Sequence, residues 1–105
     1  MRIHVSGQAS PRLEEPLEFN HFAVVVAAGT STDELRTALA EIGEPTEDLR
    51  HVFVDPAWVL DEGGEVARSL EWQRQWDAMV EFAASRGWTD SAGRVRAHVE
   101  PDPAG

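Results

Sequence analysis

Four histidines, His4, His21, His51 and His98, are spread along the chain, and each falls in or just before a stretch that reads as a β-strand. Imidazole titrates near neutrality and can move a proton. In the last of these stretches alternation sets Arg94, Arg96, His98 and Glu100 on one face and Val95, Ala97 and Val99 on the other. A guanidinium there can hold a substrate carboxylate or enolate oxygen. His98, with Arg96 and Glu100 as orienting groups, is therefore the candidate catalytic set of a small acid–base enzyme, an isomerase, cyclase or lyase. If His4 shares that face, imidazole, guanidinium and carboxylate stand together on it. The competing account is a solvated face with cross-strand ion pairs, or a face buried by a second subunit, and it asks less of the sequence.

Other chemistries fare worse. His51 and Asp55 are four apart, with Asp61 and Glu62 behind them, but four strand residues span about 13 Å, too far to share one ion unless the chain bends at Pro56. There is no HExxH, EF-hand or Cys–His pattern, so no metal and no cofactor is expected. Residues 27–32, Ala-Ala-Gly-Thr-Ser-Thr, join a strand to a helix start, a place where backbone amides can bind phosphate. Asp33 and Glu34 already bring negative charge there, and helix capping is the better account. Seryl catalysis lacks a GxSxG elbow. With no cysteine, disulfides, thiolate nucleophiles and Cys-ligated zinc are excluded. Trp58, Trp72 and Trp76 could form the wall of a pocket for a small aromatic metabolite; the simpler role for Trp72 and Trp76, on one helical face with Met79, Val80 and Ala83, is to fill the core.

The elements that must position these residues follow from hydrophobic period and turn chemistry. Residues 1–6 alternate as a short strand, and 7–17, with two prolines and a glycine, read as a loop. The β-branched run within 19–28 reads as the central strand. Ser31 and Glu34 form a capping box for a helix with Leu35, Ala38, Leu39 and Ile42 on one face and Gly43 as its stop. Residues 44–49 read as a loop and 51–54 as a strand, which 58–60 extend or leave as a loop. Asp61-Glu62-Gly63-Gly64 reads as a turn before a long helix from about Glu65 or Ser69 to Arg86, with Gly87 as its stop and Trp88 folded back on it. A turn at 90–93 leads to the final strand, and 101–105 should fray.

The expected fold is α+β, a two-layer sandwich of about four strands in a mixed sheet with two helices on one face. Its order is strand, strand, helix, strand, helix, strand, with the last three strands joined by two parallel crossovers. At 105 residues a single domain over 1–100 with one core is expected.

Nine Arg against nineteen Asp and Glu give a net charge of −10, which repels duplex DNA and anionic membranes. All nine cations are arginine, as codon bias in a high-GC bacterial genome would produce. No signal-like or membrane-length apolar run occurs, so a cytoplasmic location is expected. The favoured reading is a small acidic interaction or accessory protein that acts through its surface or a sheet face, with a protein partner or as a homodimer. The enzyme centred on His98 and the small-molecule binder are the alternatives.

Overall fold

In the computed structural model, which describes residues 1–103, each helix begins at a side chain that accepts a backbone N–H. The capping box of α1 (Thr32–Ile42) is complete: Glu34 N–H donates to Ser31 Oγ (3.1 Å) and Ser31 N–H to Glu34 Oε1 (2.8 Å). Asp55 caps α2 (Pro56–Ala67) by accepting from Ala57 N–H at 2.9 Å, with Pro56 at the first helical position. Ser69 caps α3 (Leu70–Ser85) by accepting from Trp72 N–H at 3.1 Å. At its far end Gly87 turns left-handed (φ 76°) and Trp88 N–H closes back on Ala83 O at 2.8 Å, so Trp88 folds onto the last turn as expected.

Six strands make one mixed sheet: β1 (Arg2–Val5), β2 (Arg12–Glu14), β3 (Ala23–Val26), β4 (Gly43–Pro45), β5 (His51–Val54) and β6 (Val95–Pro101), in the order β2-β1-β3-β6-β5-β4. The α+β class stands, with six strands and three helices in place of about four and two. The two additional strands lie where loops were expected. Each is three residues long, too short to display a period of two, and each is held by the neighbour it pairs with, β2 by β1 and β4 by β5. The third helix, α2, occupies the stretch read as a strand extension and a turn; Asp55-Pro56 is a helix start, and the Gly63-Gly64 turn survives only as a kink at Gly64 (φ 55°, ψ −131°).

The expected pair of parallel crossovers is also corrected. β1, β3 and β6 are mutually parallel, but β5 runs antiparallel to β6, because β4 and the loop at 46–50 reverse the chain first. That reversal needs a close approach: a Cβ on Gly43 would meet the Phe53 carbonyl oxygen at 1.9 Å. At the other end pairing runs through Pro101, and Asp102 N–H donates to Val26 O at 2.9 Å; residues 104 and 105 of the expected frayed tail lie outside the described residues.

All three helices pack on one face of the sheet. Ile3, Val5, Val24, Val52, Val54, Val95 and Ala97 meet Leu39 and Ile42 of α1, Val59 of α2 and Trp72 and Trp76 of α3 in one core. The two indoles stack at 5.5 Å between centroids, 7° from parallel. The buried Trp72 Nε1–H donates to Pro16 O at 2.7 Å, which ties the 15–22 segment to α3. Among the described residues, no helix is long and apolar enough to cross a membrane.

Candidate functional site

The alternate residues of the same strands point to the face that carries no helix, and the strand register places them. Arg2 and His4 of β1 stand beside Ala23 and Val25 of β3; these stand beside His98 and Glu100 of β6; and His98 and Arg96 stand beside His51 and Phe53 of β5. His4 does share the face of His98, and His51 joins it. Arg12 and Glu14 of β2 and Glu44 of β4 complete it at the two edges.

Ala23 and Val25 are 0% and 2% exposed although no helix covers them, and the longer side chains of Arg2, His4, His98 and Glu100 flank them on this face. His21 Nε2 lies 3.6 Å from Glu100 Oε1, and His4 Nε2 lies 3.4 Å from Asp102 Oδ2. Arg2 reaches Glu14 (3.8 Å) and Glu15 (3.5 Å), and Arg12 reaches Glu14 (3.4 Å). At the near end of β6, Asp90 accepts from the amides of Ala92 and Arg94 and pairs with the Arg94 guanidinium at 2.6 Å. Burial raises the Asp90 pKa, but those bonds outweigh it and hold the carboxyl below the usual range.

The three candidate catalytic residues stand on this face, yet each turns to a different partner. His98 makes an edge-to-face contact with the His51 ring, 5.2 Å between centroids. Glu100 is engaged by His21, and the Arg96 guanidinium lies over the Trp88 ring, 5.6 Å from its centroid. The expected role of Arg96 and Glu100 in orienting His98 is not realised in these contacts. His51 is the neighbour that sequence reasoning missed. Burial, then the neighbouring Arg96 and His98, push its pKa below the ordinary imidazole value, which favours its neutral form. Asp55, considered beside His51 as a metal ligand, is committed to capping α2. Among the described residues, no group of three or more His, Asp or Glu side chains is placed to hold a metal ion.

Of the possible pocket wall, Trp72 and Trp76 lie in the core and Trp58 packs against it. The aromatic lining occurs elsewhere. A cavity of about 150 Å³ lies between α3 and the segment leading into β3, with Phe19, Phe22, Met79, Phe82, Trp88 and Arg96 among its walls. Its signal in the sequence was the pair Phe19 and Phe22, which flank two polar residues just ahead of the central strand. A larger space of about 560 Å³ between the 6–11 loop and α1 is bordered by Asp33, Glu34 and Glu41. Compared with protein-family models, with curated proteins and with solved structures, the chain gives no match.

Proposed function

We propose that this chain is a small interaction protein of the cytoplasm whose helix-free sheet face packs against the same face of a second copy. The observation that carries this reading is the charge of that face. Three of the nine Arg (Arg2, Arg12, Arg96) and three of the nineteen acidic residues (Glu14, Glu44, Glu100) hold its strand positions and cancel, and with Glu15 and Asp102, which pair with Arg2 and His4, the face carries about two of the ten net negative charges, the rest lying elsewhere on the chain. Two copies repel each other in other orientations and meet there with less of that cost. Phe53 supplies an apolar contact in the row of Arg96, and the histidines supply polar ones that need not be charged at pH 7. Sedimentation velocity tests it. The wild type should sediment as a dimer at about 10 to 100 μM, and Phe53→Glu, which places a carboxylate on each facing surface, should shift it to monomer with its fold intact. A wild type that stays monomeric throughout that range overturns the reading.

Acid–base catalysis is the second reading, and the observation that favours it is the neutral His51 beside His98, a pair that can exchange a proton. It ranks below the first because Arg96 and Glu100 are turned away to Trp88 and His21, and because Ala23 and Val25, flanked by longer side chains, are already buried. Imidazole NMR shifts of His51 and His98 that respond to a small acid in the monomeric Phe53→Glu variant would reverse that order.

A further inference from the structure

We propose that the cavity between α3 and the 19–22 segment is a binding site for a single-ring aromatic carboxylate, its ring held among Phe22, Phe82 and Trp88 and its anionic group by Arg96. The proposal goes beyond the self-association above; of the residues it uses, Arg96 alone also stands on the helix-free face. The cavity measures about 150 Å³, the size of space that accepts one benzene ring. Its walls offer ring edges and faces in the geometry aromatic ligands prefer: Phe82 and Trp88 stand edge-to-face, 6.0 Å apart at 72°. Met79 adds a polarisable thioether.

Charge selects an anion. Among the described residues Arg96 is the one ionisable residue that lines the cavity, and its guanidinium lies over the Trp88 wall. A second guanidinium, Arg86, lies over the Phe82 wall at 5.1 Å from the ring centroid. Among the described residues neither arginine has a carboxylate within salt-bridge distance, in a chain where acidic residues outnumber arginines nineteen to nine. Arg96, at the cavity wall, can take a ligand carboxylate in the bidentate geometry arginine favours, and Arg86, exposed beyond the Phe82 ring, adds positive charge nearby. Asn20, also in the lining, offers an amide for a ring substituent.

Titration of the full-length chain with benzoate, followed by the indole N–H signals of the four tryptophans, tests the site. Benzoate should shift the Trp88 signal saturably. Benzyl alcohol, which keeps the ring and loses the charge, should bind at least about tenfold more weakly. Acetate should leave the signal in place. Arg96→Gln and Arg86→Gln, at positions that are not buried, should weaken benzoate by about tenfold and by a smaller factor respectively, and Ala83→Leu, which fills the cavity from α3, should abolish binding. The same affinity should be found at protein concentrations below and within the range in which the chain self-associates, which separates this site from self-association. The proposal is overturned if benzoate gives no saturable shift, if benzyl alcohol binds as tightly, if acetate reproduces the shift, or if both arginine variants bind like wild type.

Discussion

The two faces of the sheet are made by alternate residues of the same strands, and they are held by different forces. On the covered face Ile3, Val24, Val54 and Ala97 are buried against α1, α2 and α3, and stability there follows from apolar area and close fit. On the open face the neighbours of those residues, His4, Val25, Phe53 and His98, lie among imidazole, guanidinium and carboxylate groups whose ion pairs span 3.4 to 3.8 Å with solvent at hand. Exposed pairs of that kind contribute little stability each. The lesson is that one face secures the fold, so substitutions on the other are free of that constraint. Substitutions should therefore separate the faces cleanly.

The largest effect belongs to the covered face. Trp76, stacked on Trp72 and 5% exposed, should cost about 3 to 5 kcal/mol when replaced by Ala, measured as the change in urea unfolding free energy. A midpoint close to wild type would break the comparison. Trp72→Phe keeps most of the apolar volume but removes the donor to Pro16 O, and should cost about 1 to 3 kcal/mol for the carbonyl left without its partner. The smallest effect is on the open face and depends on pH. The folded pKa of His51 lies below its ordinary value of 6.5, so the unfolded chain takes up a proton that the folded chain resists. Its contribution is fully present above about pH 6.5 and is lost as pH falls through the folded value. The urea midpoint should be lower at about pH 5.5 than at about pH 7.5, and His51→Gln should narrow that gap. An unchanged gap would place the acid sensitivity elsewhere.

What the sequence made legible depended on whether the signal was local. The cap at Ser31, the apolar face of α3 and the alternation through Val95, Ala97 and Val99 are each carried by residues a few positions apart, and all three recur in the structure. The three-residue strands β2 and β4 exist because β1 and β5 offer them hydrogen bonds, and no local pattern reports a neighbour. Asp55-Pro56 starts a helix in the structure, but following directly on the β-branched 51–54 run it reads from sequence as a strand break. The open face repeats the contrast. The polar phase of β6 was available from sequence, whereas the meeting of His98 with His51 and of Glu100 with His21 is set by register across β3, β6 and β5. The aromatic cavity escaped notice for a similar reason: Phe22, Phe82 and Trp88 come from three separate segments.

The two margins of the sheet have a consequence for how this chain behaves when crowded. β2 offers only Arg12, Leu13 and Glu14, charged at both ends, and β4 offers Gly43, Glu44 and Pro45, of which the proline has no N–H to give. Short, charged or proline-bearing edges are poor templates for an incoming strand. Growth strand upon strand, the route to open-ended fibres, is blunted at both sides, so the proposed self-association would run through a surface that saturates after one partner is bound.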